Sequence, residues 1–198
     1  MIVGGKLSGC PFKVANSFGG PLEPSLIVAH DTAGRLSKGN SVSWFQNPEC
    51  STSAHFVVER DGSRTQMVRT DRRAWHAGKS FWRGRAFCNS FALGIEIVNP
   101  GKLDAAGRAW FGDALAGTGI PTRALVRKAT KAHGDGWWLP YTSEQIASVK
   151  ELCRELVEHY SDVNEIVTHW MISPGRKIDT NPLFPLEEVS RYALGQED

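Results

Sequence analysis

The sequence predicts a layered fold of the α/β or α+β class, and three observations carry that expectation. Short apolar or alternating runs of strand length occur at Leu26–Ala29, Ser53–Glu59 and Phe91–Val98. One long stretch, Ser143–Tyr160, repeats its apolar residues at helical spacing. A hairpin signal, Asp61-Gly62, sits between two of the short runs, and strands mixed with a few helices suit a sheet covered by helices. With 198 residues, the chain reads as a single domain over 1–198, long enough to bury a proper core.

Taken in order, residues 1–24 are rich in Gly and Pro and read as an irregular lead-in. Leu26–Ala29 is a buried strand ending at His30, and Asp31-Thr-Ala-Gly34 is turn-like. Ser41–Gln46 has the makings of a short helix. Ser53–Glu59 is read as a strand with His55 in its middle, and Thr65–Val68 as its hairpin partner. Phe91–Val98 is a further strand, alternating around Glu96. Residues 100–141 are punctuated by Pro100, Gly101, Gly107, Gly117, Gly119, Pro121, Gly134 and Gly136, and are read as an insertion forming a flap or rim beside a site. Thr142 and Gln145 fit a capping box at the head of the long helix. The apolar face of that helix is Ile146, Val149, Cys153, Leu156, Val157 and Tyr160. Glu165–Thr168 is short and β-like and delivers His169, and Pro185–Leu194 is a final helix packing back on the core.

Composition narrows the function classes. Hydrophobic content of 41% and charged content of 22% are those of an ordinary globular protein. A net charge of +2 without blocks of like charge suggests neither nucleic acid nor a membrane surface as partner. No apolar run approaches a membrane span, and no basic segment followed by an apolar one marks a secretory signal, so the expected location as synthesised is cytoplasmic. The four cysteines lack C-x-x-C spacing and are expected as reduced thiols. Seven tryptophans are many for this length, and suit either core packing or a groove lined with aromatic platforms.

The segment His169–Asp179 concentrates the chemistry. It holds a histidine, Lys177 and a carboxylate in one loop, and Pro174 and Gly175 argue against a helix through it. Imidazole and carboxylate are the ligands a catalytic Zn²⁺ takes. With His30, the set becomes two histidines and one aspartate, which leaves a fourth position for water, as in a hydrolytic zinc site. His30 and His169 each follow a β-like segment, whereas His133 and His159 read as solvent-exposed.

Several ordered blocks resemble the type 2 family of zinc-dependent N-acetylmuramoyl-L-alanine amidases, which includes the peptidoglycan recognition proteins. They are Val28–Gly34, Ser53–Gly62, Ala74-Trp-His-Ala-Gly78, Asn89–Glu96 and His169–Asp179, with Tyr141-Thr-Ser-Glu-Gln145 opening the long helix. The resemblance covers roughly residues 25–99 and 141–194. It implies an α/β fold with a central mixed sheet flanked by helices and one Zn²⁺ in a surface groove, held by His30, His169 and Asp179. It also implies Glu96 as the catalytic carboxylate, Lys177 as the cation at the reacting carbonyl, Trp75 and His76 as groove-lining substrate contacts, and His55 as a structural histidine. The implied partner is peptidoglycan or a muropeptide. The chemistry is consistent with these roles, since a carboxylate can move a proton from water to a departing amine and a cation can share the charge on the carbonyl oxygen.

Two departures from the family pattern stand out. Met171 replaces an aspartate common two residues after the second histidine, and Thr180-Asn181-Pro182 replaces the usual Pro-Gly after Asp179. The expected activity is cleavage between N-acetylmuramic acid and L-alanine. The aromatic content and the insertion favour a wall-degrading, endolysin-type enzyme released by a holin-like route. The alternatives are a cytoplasmic recycling amidase acting on anhydro-muropeptides and a non-catalytic binding module. A serine hydrolase is not supported, because no G-x-S-x-G elbow is present.

Overall fold

The computed structural model describes residues 1–196. Its centre is a five-stranded mixed sheet built from β1 (Leu26–Asp31), β2 (Phe56–Val58), β3 (Arg64–Gln66), β4 (Ala92–Ile97) and β8 (Ile166–Thr168). The spatial order is β8-β1-β4-β2-β3, parallel except for the antiparallel hairpin β2–β3 at one edge. The expected hairpin turn is present, with Gly62 at φ +78°. The strand there is narrower than Ser53–Glu59, and His55 lies just before it rather than in its middle.

The pleat assigns two faces. Ile27, Ala29, Leu93, Ile95 and Ile97 point to one side, where they pack with Val149, Leu152, Cys153 and Leu156 of α2 (Ser143–His159). Each fully buried aliphatic side chain of this kind contributes about 1.5–3 kcal/mol. The final helix α4 (Leu186–Ala193) adds Val189 and Ala193 to the same core. On α2 the capping box is formed as expected, with Thr142 Oγ1 accepting from the Gln145 N–H and Gln145 Oε1 from the Thr142 N–H. On the opposite face, His30 and Glu96 share a register position on the adjacent strands β1 and β4. That second face carries the site.

The lead-in is less loose than its composition suggests. Ile2–Val3 and Lys6–Leu7 form a small antiparallel ladder, and Ile2, Leu7 and Leu22 are buried in the α2 core. The short helix α1 covers Asn40–Gln46 and turns Val42 and Phe45 inward.

The insertion has structure of its own. Strands β5 (Lys102–Leu103), β6 (Val126–Thr130) and β7 (Gly134–Trp138) make a three-stranded antiparallel sheet in the order β6-β7-β5. Leu103, Leu115, Leu125 and Leu139 give it a separate apolar cluster. Its hairpin overturns the reading of His133 as solvent-exposed. His133 is 6% exposed, its Nε2 donates to the Thr180 carbonyl at 2.9 Å, and its ring meets Trp138 and Trp170 edge-on. The turn between β6 and β7 folds back onto the segment after Asp179, a long-range contact that local glycine content does not reveal. His159 is exposed, as expected.

Candidate metal centre and groove

His30 stands at the end of β1, and His169 opens a four-residue helix α3 (His169–Ile172). Pro174 stops that helix, so the expected bent loop begins only at Ser173. The loop then returns Asp179 to His169, with the Trp170 N–H donating to the Asp179 carbonyl at 2.8 Å. Three donor atoms converge. His30 Nδ1 and His169 Nδ1 are 2.9 Å apart, and Asp179 Oδ2 lies 3.2 Å from the first and 3.0 Å from the second. Among the described residues this is the one group of His, Cys, Asp and Glu with metal-ligand geometry.

Hydrogen bonds behind the rings decide what these atoms carry. His76 Nε2 faces the Ala92 carbonyl at 3.2 Å, which can only accept, so that nitrogen holds the proton. His76 Nδ1 therefore accepts from His30 Nε2 at 2.9 Å, and His30 Nδ1 is left as a bare lone pair. His169 Nε2 meets the Ala77 carbonyl at 3.1 Å, closer than the Arg176 Nη2 at 3.3 Å, and donation to that carbonyl leaves its Nδ1 bare. Two lone pairs and a carboxylate oxygen thus face one another without a proton between them. A tetrahedral Zn²⁺ with bonds of about 2.0–2.1 Å separates its donors by roughly 3.3 Å, close to the spacing seen here. The donor set fits a divalent cation, with both histidines held by outer hydrogen bonds of the kind that orient metal ligands.

The electrostatics agree. Burial and the neighbouring His169 lower the His30 pKa to about 4, so this ring stays neutral. Burial alone would raise the Asp179 pKa, but the His169 and His30 rings beside it act in the opposite sense and hold its carboxyl below the usual range. Glu96 is pushed well above the ordinary carboxylate range by burial and by the charges of Asp179 and Asp31, with Lys177 opposing. Glu96 is partly exposed as a residue, yet its Oε2 is sheltered and has no hydrogen-bond partner. A cation in the cluster would reverse the repulsion that acts on it.

Glu96, Lys177, Trp75 and His76 all line one groove of 610 Å³ with the three converging residues. His76 is a support for His30 rather than an open wall, since its two ring nitrogens are taken up by His30 and Ala92. Trp75 is half-buried; its backbone N–H donates to Ser53 Oγ at 2.9 Å, and its ring lies so close over Gly19 that an added Cβ would stand 2.7 Å from it. His55 is fully buried and satisfied at both ends, donating to the Arg72 carbonyl and accepting from the Gly94 N–H, each at 2.9 Å.

Several participants escaped sequence reasoning. Gly94 lets the His76 ring lie against β4, because an added Cβ would come within 2.7 Å of its Cδ2 and Nδ1. A glycine inside an otherwise apolar strand is the available signal. Arg176 straps the loop down through the carbonyls of Ala77 at 2.7 Å and Lys79 at 3.1 Å. Asp31 accepts from the Tyr141 hydroxyl and from the Asn181 N–H, tying β1 to both flanking segments. Met171 packs against the apolar cluster that includes Val28, Val167 and Ile172, and the Ala77 carbonyl orients His169 from outside the three converging donors.

The family profile described as Amidase_2, N-acetylmuramoyl-L-alanine amidase, matches residues 20–182. The chain belongs to this family. It is 32% identical over 137 residues to the 1,6-anhydro-N-acetylmuramyl-L-alanine amidase AmpD of Haemophilus influenzae, which covers 68% of this chain and 55% of that protein. It is 33% identical over 133 residues to AmpD of Escherichia coli K12, covering 67% and 53%. The chain thus spans about half the length of the curated relatives it matches. Among solved structures, an AmpD crystal structure superposes with a TM-score of 0.66 at 24% identity, over 98% of this chain and 99% of that one. Escherichia coli AmiD, in complex with anhydro-N-acetylmuramic acid-L-Ala-D-γ-Glu-L-Lys, gives 0.64 at 23% identity, over 87% and 58%. These likenesses establish the family's fold for this amidase-family chain, a mixed sheet flanked by helices. No helix among its described residues is long and apolar enough to cross a membrane.

Proposed function

We propose that this chain hydrolyses the amide between the lactyl group of N-acetylmuramic acid and L-alanine of the stem peptide. In this reading His30, His169 and Asp179 hold Zn²⁺, and residues 1–198 work as one domain with the insertion as a rim. The observation that carries the reading is the meeting, in one groove, of three proton-free donor atoms with an unpartnered carboxylate oxygen on the adjacent strand. Family membership and the names of the relatives support it.

Zn²⁺ bound there supplies Lewis acidity at the scissile carbonyl and acidifies water to a pKa of about 7. The chain does the rest. Glu96 accepts a proton from the attacking water and returns it to the departing alanine nitrogen. Lys177 shares the negative charge that develops on the carbonyl oxygen, a contribution of roughly 2.7–4 kcal/mol for one preorganised donor. His76 keeps the lone pair of His30 aimed at the centre. Trp75 offers an aromatic wall to the substrate.

The open groove with exposed Trp44 and Trp110 at its rim favours the intact wall as substrate. A second reading, soluble anhydro-muropeptide, is favoured by relatives named for that substrate. Metal content and product analysis by mass spectrometry on both substrates test the proposal. We expect one zinc per chain, free stem peptides as products, loss of turnover on chelation, and loss of turnover in Glu96→Ala with zinc retained. Wild-type turnover in Glu96→Ala, or a zinc-loaded protein that binds glycopeptide and releases nothing, would overturn it.

A further inference from the structure

The groove runs from the metal cluster between α1 and the insertion, and two indoles stand on its walls largely bare. Trp44 of α1 is 52% exposed and Trp110 of the insertion 83%. Leaving such faces in water forfeits apolar burial, and an exposed aromatic patch at a groove marks a contact surface. Trp110 is also fixed in place. Its Nε1–H donates to the Ala33 carbonyl at 2.9 Å, and its ring meets Phe111 edge-on at 5.5 Å. Ala33 presents that carbonyl from φ 45°, a left-handed conformation uncommon for a non-glycine residue. The result is an exposed indole of the insertion anchored through its Nε1–H to the turn at Ala33.

The rest of this stretch is neutral and polar, with Asn40, Ser43, Asn47 and Thr52 among its lining residues. Away from the metal cluster, the charged side chain among the described lining residues is Arg35, whose guanidinium lies over the Phe111 ring at 5.7 Å. Flat aromatic faces beside neutral amides and hydroxyls suit a pyranose ring. Its C–H face packs on the negative face of an indole, and its hydroxyl and acetamido groups find partners on both walls. An acidic peptide would call for cations instead.

We propose that Trp110 and Trp44 form a subsite for the sugar next to the muramoyl residue, so that the insertion selects glycan-linked substrate over isolated muramoyl peptide. The identity of the bond cut rests on the amidase reading above; the sugar contact does not.

Two measurements test this. The first is steady-state kinetics on N-acetylmuramoyl peptide and on N-acetylglucosaminyl-N-acetylmuramoyl peptide. The second is calorimetric titration of the zinc-loaded protein with peptide-free chitotetraose. In the wild type, KM is expected to be about tenfold lower for the disaccharide peptide, an advantage that shrinks to about twofold in Trp110→Ala and Trp44→Ala, with the loss in KM rather than kcat. Trp110→Phe keeps a ring face without the Nε1–H anchor and retains most of the advantage. Chitotetraose binding is present in the wild type and lost in Trp110→Ala.

Equal KM for both substrates in the wild type, without chitotetraose binding, would remove the subsite and leave the amidase reading intact. Equal damage from Trp110→Phe and Trp110→Ala, falling on kcat, would make Trp110 a brace for the Ala33 turn and overturn the proposal. Hydrolysis of neither substrate, with chitotetraose still bound through Trp110, would support the subsite and end the amidase reading.

Discussion

At the scale of single residues, outer hydrogen bonds matter as much as the converging donors. The order Ala92 carbonyl, His76, His30 passes one proton assignment along two rings and ends in a lone pair facing His169 and Asp179. Gly94 is what allows His76 to lie there. Gly94→Ala is therefore expected to weaken zinc binding by about 10–100-fold, the usual effect of disturbing a ligand's outer partner. Competition with a chelator of known affinity measures it, and unchanged affinity would remove His76 from the supporting role. His55 makes a different prediction. Its folded pKa is lowered to about 4 by burial, against 6.5 for the free group, so the folded state resists protonation. Its contribution to stability is complete above pH 6.5 and is lost as the pH falls towards 4, because there the unfolded chain binds the extra proton. Between pH 7 and pH 5 the loss is about 2 kcal/mol. Urea unfolding with chelator present should show that loss in the wild type and a smaller one in His55→Gln. An equal loss in both would mean that this ring does not titrate as described.

At the scale of elements, α2 shows local and tertiary signals in agreement. Its apolar spacing, its capping box and its burial against β1 and β4 all name the same face. Thr142 Oγ1 serves twice, accepting from the Gln145 N–H and donating to the Arg60 carbonyl at 2.6 Å. Thr142→Ala should cost about 1 kcal/mol or somewhat more in urea unfolding, since the cap and that second bond are lost together. Turnover should be preserved, because α2 lies across the sheet from the groove. A loss of activity without a loss of stability would contradict that placement. The hairpin β6–β7 is the counterexample. Glycines at 134 and 136 suggested punctuation, yet Val126–Thr130 and Gly134–Trp138 pair over five residues each. Trp138 is buried, and Leu125 and Leu139 join Leu103, Ala114 and Leu115 in one apolar cluster, burial that glycine punctuation alone does not reveal.

For the whole molecule, the insertion and the altered exit after Asp179 form one unit. His133 binds the Thr180 carbonyl, Lys128 Nζ binds the Pro182 carbonyl at 2.7 Å, and Asn181 Nδ2 binds the Leu139 carbonyl at 3.2 Å. The insertion thus packs on the altered exit from the His169–Asp179 loop. The converging donors also join distant parts of the chain, since His30 and His169 are 139 positions apart. A cation that binds only the folded arrangement must stabilise it, by about 4 kcal/mol at a thousandfold excess over its Kd. Adding Zn²⁺ to chelated protein should raise the midpoint of thermal unfolding, and the rise should vanish in Asp179→Ala. A persistent rise in that variant would place the metal elsewhere. Sequence alone determined the mixed fold class, the capped helix α2, and the candidate set His30, Glu96, His169, Lys177 and Asp179, because periodicity and residue chemistry are local and ordered blocks carry a family's spacing. The tertiary structure alone decided which ring nitrogens are bare, that His133 is buried, and that Trp44 and Trp110 share a groove, because each depends on contacts between segments far apart in the chain.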